Sequence, residues 1–157
     1  MKKLNWKSYL FWIAVSEAVG ALAGFVTRQG MELYRRTAVK PPLNPPGWAF
    51  PVVWAVLYAL MGIGAARIAA RPDSRARNVA LNLFVVQLIV NFFWSLFFFN
   101  ARAYGLAAVW LVLLWVLIAA MIFAFQRVDG TAAWLQVPYL LWTTFAGYLT
   151  LATWLLN

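Results

Sequence analysis

Five apolar stretches, each long enough to cross a bilayer, dominate this chain, and its charged residues fall mostly between them. A helix rises about 1.5 Å per residue, so about 20 apolar residues cover a hydrocarbon core roughly 30 Å thick. The stretches cover residues 9–27, 46–69, 79–100, 104–125 and 132–156. Hydrophobic residues make up 65% of the chain and charged residues 11%, against roughly 45–50% and about 25% in soluble domains. At 157 residues the chain has too little interior to hide that surface from water. The sequence therefore predicts an all-α membrane protein, a bundle of five transmembrane helices forming one domain over residues 1–157. Lys2, Lys3 and Lys7 before the first stretch imitate a secretory signal. The apolar run is too long for one and shows no convincing cleavage site, so it is read as a retained helix.

The connections are short except for residues 28–45, the only one long enough to fold over something. That segment leads into PPLNPPGWAFPVVWAVLYALMG, residues 41–62. Proline fixes φ and disfavours α geometry in the residue before it, so the two proline pairs hold the approach extended. Pro46 suits a first helical turn, and a helix is expected from residues 46–48 onward. Residues 28–45 are thus expected to be a lid over the bundle.

The net charge of +9 sits at the ends and between the apolar runs, as charges do when they meet lipid headgroups. Membrane lipid is the expected partner, and nucleic acid is not. Lys2, Lys3, Lys7, Arg67, Arg71, Arg75, Arg77 and Arg127 mark one side, against Arg28, Arg35, Arg36, Lys40 and Arg102 on the other, eight to five. By the Lys/Arg bias the N-terminus is expected in the cytoplasm, with the lid segment and the C-terminus outside.

With no His and no Cys, the usual general base, haem ligand and thiolate are missing, and no metal site is expected. Ser16 and Glu17 adjoin, but helix neighbours point apart, so they do not make a hydrolase. Glu17, within the first span, is either protonated or paired with a neighbouring helix. Gly20 and Gly24 form a small-xxx-small pair, serving packing inside the bundle or dimerisation. Gln87, Asn91 and Ser95 share one helix face, with Trp94 beside it. They serve hydrogen bonds between helices or anchor a ligand. Trp54 with Tyr58, and Trp142 with Phe145 and Ala146, lie at helical spacing, the latter set below Pro138 and Tyr139. Of the ten tryptophans, Trp6, Trp12, Trp134 and Trp154 fall near span ends. Trp54, Trp94 and Trp142 lie deeper. Converging, they would form a flat apolar chamber for a planar ligand; otherwise they are bundle packing.

Three motifs in order, KPPLNPPGWAFPVVWAVLYALMG (residues 40–62), NFFWSLFFF (91–99) and PYLLWTTFAGYL (138–149), resemble the TspO/MBR family over almost the whole chain. The resemblance implies a five-helix bundle, commonly dimeric, whose pocket is capped by the first loop. It implies binding of protoporphyrin IX and of benzodiazepine-site ligands, with light-dependent porphyrin degradation in some bacterial members. No cofactor is required. By motif, the implicated tryptophans are Trp54 and Trp142 and the pocket asparagine is Asn91. Tyr58, Trp94, Tyr139, Phe145 and Ala146 match lining positions. In the lid, Tyr34 stands where the family carries tryptophan, Arg35 where it carries tyrosine, Ala38 for leucine and Leu43 for a later tryptophan, so this lid is less aromatic. The cholesterol-recognition pattern of mitochondrial members is missing from the tail LTLATWLLN, which has Leu151 and Leu155 in place of its tyrosine and basic residue. The resemblance leaves three activities open: light-driven degradation, transport, and regulatory binding without turnover. A transporter usually shows internal repeats and paired broken helices, and neither is visible in the sequence.

Overall fold

Asn5 opens the first helix, its side-chain oxygen accepting the Lys7 and Ser8 amides at 3.2 and 3.4 Å, which satisfies donors that a helix start leaves free. The computed structural model describes residues 5–157, so Lys2 and Lys3 lie outside the described residues. The helices are α1 (Trp6–Val26), α2 (Arg28–Thr37), α3 (Ala49–Ala69), α4 (Arg75–Ser95), α5 (Tyr104–Gln126), α6 (Gly130–Trp134) and α7 (Val137–Leu156). Ser74 caps α4 through the Arg77 amide at 3.1 Å. Five helical segments are long and apolar enough to cross a membrane: Trp6–Val26, Ala49–Ala69, Arg75–Asn100, Tyr104–Gln126 and Gly130–Leu156. The chain is thus an integral, multi-pass, all-α membrane protein.

Three local features go beyond the expected spans. The first ten residues of the lid segment are helical, forming α2. The third span ends in a π-turn, Leu96–Asn100, closed by Ala101 N–H on the Leu96 carbonyl at 2.9 Å. The fifth span is interrupted at Leu135–Gln136, between α6 and α7. Pro138, in the first turn of α7, explains the restart, because it has no N–H to bond backwards and crowds the residue before it. The helix after the proline run begins at Ala49, whose N–H reaches the Pro46 carbonyl at 2.9 Å.

α1 lies along α3 and also touches α4, while α5 sits between α4 and α7. At Gly62 a Cβ would fall 2.7 Å from the Ile13 nitrogen and 2.8 Å from the Trp12 carbonyl, so α1 and α3 meet backbone to backbone there. Gly20 faces the Tyr58 ring, whereas Gly24 faces open space. The Gly20 end of the small-residue pair therefore serves packing within the bundle. Met61, Ala65, Ile68, Phe84, Ile118, Met121 and Phe125 have no exposure and form the centre of the core. Trp6, Trp134 and Trp154 are half or more exposed near helix ends, while Trp12 turns inward against Phe84.

α3 and α7 make almost no close backbone approach. What closes the gap between them is side chains, and most of the expected site residues stand there.

Candidate functional site

The site grows from the polar stripe of α4. Gln87 and Asn91, one turn apart, point into the core, and both are at most 2% exposed. Tyr58 of α3 donates its hydroxyl to Asn91 Oδ1 at 2.9 Å. Asn91 Nδ2 donates to the Tyr139 hydroxyl at 2.6 Å, and Tyr139 donates onward to Gln87 Oε1 at 2.7 Å. Each hydroxyl gives its one proton once, so the chain runs in a single direction from α3 through α4 to α7 and back to α4. Burial makes every partner necessary, because an unpaired polar group in an apolar interior is costly. Gln87 and Asn91 thus carry hydrogen bonds between helices; Ser95 takes no part in the chain.

Above this chain the α3–α7 gap is lined with rings. Trp54 lies 5.6 Å from Tyr58 and 6.2 Å, edge-on, from Tyr139. Trp142 meets Phe50 at 6.0 Å and Phe145 at 5.5 Å, and Phe145 stacks on Tyr148 at 6.2 Å. Trp54, Trp142, Phe50 and Phe145 are half-buried, and Ala146 is buried one turn after Trp142. Trp54 and Trp142 therefore line one seam, joined through Tyr139 and Phe50.

Trp94 and Tyr34 belong to a second cluster. Trp94 stacks on Phe98 at 5.2 Å and 25°. Tyr34 meets Phe98, Phe99 and Tyr104 at 5.2, 5.6 and 6.4 Å. The π-turn brings Phe98 and Phe99 into this arrangement, consistent with the frequent placement of such bulges at functional positions. Trp94 Nε1 is buried without a hydrogen-bond partner, so it is an indole donor free to meet an acceptor. Of the three deep tryptophans, two share the seam, and Trp94 sits in the neighbouring cluster.

The cations of the lid are already engaged. Lys40 Nζ donates to the carbonyls of Tyr34, Arg35 and Ala38 at 2.9, 2.5 and 2.9 Å, closing the end of α2. Arg35 and Arg36 share Glu32 at 2.6 and 3.0 Å. Hydrogen bonds from Arg35 and then Arg36 hold the Glu32 carboxyl down at about 2.

Sequence reading missed Phe50, although an aromatic one turn before Trp54 was a signal for it. It also missed Tyr148 and Asn157, which hold the lid. Tyr148 bonds the Pro42 carbonyl and Asn157 bonds Val39, 106 and 118 positions away, contacts that no local pattern encodes. A separate groove of about 370 Å³ lies between α1 and α4, walled by Trp12, Val19, Phe84, Leu88 and Phe92 among others. It contains none of the expected site residues. Among the described residues no cluster of acidic side chains suits a metal ion.

Fold and seam together define a class: a tryptophan-rich, five-span helical membrane protein with an aromatic seam between two of its spans and a hydrogen-bonded first connection. The chain belongs to the TspO/MBR family, whose sequence profile matches residues 12–155. It is 38% identical to the tryptophan-rich protein TspO of Chlorobaculum tepidum over 146 residues, 92% of each chain. It is 34% identical to the tryptophan-rich sensory protein of Cereibacter sphaeroides, covering 91% of this chain and 87% of the relative. The translocator protein of Homo sapiens is 33% identical, with 89% of this chain and 85% of the relative covered.

Proposed function

We propose that this protein binds a planar tetrapyrrole, with protoporphyrin IX as the ligand, in the α3–α7 seam, and degrades it in light. The observation that carries the reading is the pair of half-buried indoles, Trp54 and Trp142, on one seam with Phe50, Tyr58, Tyr139 and Phe145 around them. Flat, polarizable faces suit a large planar ring by stacking. A chain without His or Cys offers no strong axial ligand to an iron centre, which favours a metal-free ring. Asn91 has one bond to a tyrosine at each end of its amide, which leaves one N–H and one lone pair for a ligand. Trp94 Nε1, in the neighbouring cluster, is a buried donor without a partner, which only a ligand reaching beyond the seam would engage. Excited by light, the porphyrin passes its energy to dioxygen, which adds to the macrocycle; alternatively the excited ring takes an electron from a neighbouring indole, combines with dioxygen and returns the electron to the indole radical cation. Either way the net change is addition of dioxygen to the macrocycle, with both oxygens and the oxidising equivalents supplied by dioxygen.

Binding without turnover is the second reading. A relative carries the name sensory protein, and the tyrosine–amide chain at the seam is hydrogen-bonded throughout. Absorbance of protoporphyrin IX under illumination separates the two. The first reading expects saturable loss of the porphyrin bands with a defined product. It also expects at least a tenfold slower reaction in Trp54→Phe/Trp142→Phe, with binding retained. Wild-type protein that binds yet bleaches the porphyrin no faster than detergent alone leaves the sensor reading.

A further inference from the structure

Two straps hold the lid shut, and both hang from the last turns of α7. The Asn157 amide pairs with both backbone groups of Val39. Val39 N–H donates to Asn157 Oδ1 at 3.0 Å and Asn157 Nδ2 donates to the Val39 carbonyl at 2.9 Å. A side chain thereby reproduces one rung of a strand ladder. Three residues on, the Tyr148 hydroxyl donates to the Pro42 carbonyl at 2.7 Å. α2 is fixed separately. Gly30 rests on the Phe99 carbonyl so closely that a Cβ would fall 2.6 Å from it, and Tyr34 is seated among Phe98, Phe99 and Tyr104. The portion able to lift is therefore residues 38–48, held by the two straps and, at Lys40, by its ammonium on the end of α2.

The closed lid also contains strain. Leu43 follows the second strap and has φ of 68°, the left-handed region that costs an L-residue free energy. Its side chain is 80% exposed, so no packing compensates. The turn it occupies is closed by Asn44 N–H on the Pro41 carbonyl at 3.3 Å. Prolines on both sides limit how far the distortion can spread. Relief of this strain would favour opening and the straps favour closure, the opposed terms that a two-state lid requires.

The second strap touches the seam. Tyr148 stacks on Phe145, and Phe145 packs on Trp142. Whatever moves the Trp142 ring moves the ring whose hydroxyl holds Pro42.

We propose that Asn157 and Tyr148 form a latch, loaded by the strained turn at Leu43, that couples occupancy of the seam to opening of the lid. The ligand part of this statement rests on the binding reading above; the latch itself does not. Hydrogen–deuterium exchange of residues 38–48, on the full chain in lipid nanodiscs, tests it. Removing the two amide bonds in Asn157→Ala speeds exchange of the Val39 amide by roughly tenfold or more. Tyr148→Phe keeps the ring and loses the hydroxyl, and speeds exchange over residues 38–48 by about two- to tenfold. Leu43→Asn, which accepts left-handed geometry readily, slows it by about two- to fivefold. Dissociation of protoporphyrin IX follows the same order across the variants. Unchanged exchange in Asn157→Ala, or faster exchange in Leu43→Asn, overturns the latch. If exchange behaves as expected but wild-type protein does not bind protoporphyrin IX, the latch stands and the porphyrin reading fails.

Discussion

At the scale of single residues, the Tyr58–Asn91–Tyr139–Gln87 chain ties three spans together, and Asn91 is the member with most to lose. It serves two buried tyrosines at once, so Asn91→Leu leaves both hydroxyls without this partner. An unsatisfied buried polar group costs about 1–3 kcal/mol, and Tyr139 keeps its bond to Gln87. Asn91→Leu is therefore expected to destabilise by about 2–4 kcal/mol. Tyr58→Phe, which strands only the Asn91 oxygen, is expected to cost about 1–2 kcal/mol. Thermal unfolding in detergent reads both, and a harmless Asn91→Leu would mean that the chain does not hold the bundle. The sequence placed Gln87 and Asn91 on one face, because their spacing is a property of α4 alone. It left their role open because the partners of Asn91 lie 33 and 48 positions away on other helices.

At the scale of elements, the turn between α5 and α6 is organised by Asp129. Its side chain caps α6 through the Thr131 amide at 3.2 Å. It also accepts Arg67 Nε at 2.7 Å, with Arg71 at 3.6 Å, so the α5–α6 turn is tied to the end of α3. Burial pushes the Asp129 carboxyl up, but the Arg67 hydrogen bond and charge, the Thr131 amide and Arg71 more than offset this, and it sits below its ordinary value. A carboxyl depressed in the folded state stabilises fully above its unfolded value of about 3.9 and loses that contribution as pH falls through the folded value. The Tm of wild-type protein is accordingly expected to drop on acidification below about pH 4, and Asp129→Asn to lower the Tm at neutral pH and flatten that drop. Glu32 is depressed too, but its ion pairs are exposed and add little, the less so in salt. Running the titration at high salt isolates Asp129, and an acid limb unchanged in Asp129→Asn would remove it as the cause. Asp129 was visible in sequence only as part of a short polar connection. Its role depends on Arg67, 62 positions earlier. The helical character of residues 28–37 was hidden for a related reason. RQGMELYRRT reads as a polar connection until Tyr34 and Gly30 are seen docked on the π-turn.

At the scale of the whole molecule, the five spans were legible because hydropathy over some 20 residues is a sum, insensitive to which partner each side chain meets. Orientation is a property of the same sum. All odd-numbered spans run the same way, so the ends of the bundle differ in what they carry. Among the described residues one end has Lys7, Arg67, Arg71, Arg75, Arg77 and Arg127, and the other has Arg28, Arg35, Arg36, Lys40 and Arg102, while Lys2 and Lys3 precede the first span in the sequence. The rule that sets topology counts Lys and Arg near the spans and is not a net-charge rule. The pairing of Arg67 with Asp129 therefore does not cancel its vote. By the eight-to-five excess the first connection and the end of α7 are expected on the outer side. The absence of cysteine makes this directly measurable. Thr37→Cys in α2 and Ala76→Cys at the start of α4 each introduce one thiol at an exposed position on opposite ends. In intact cells a membrane-impermeant maleimide is expected to label Thr37→Cys and to spare Ala76→Cys until the membrane is opened. The reverse pattern would turn the bundle over and give the lid to the cytoplasm. Equal labelling of both would mean that the excess of three basic residues is too small to fix a single orientation.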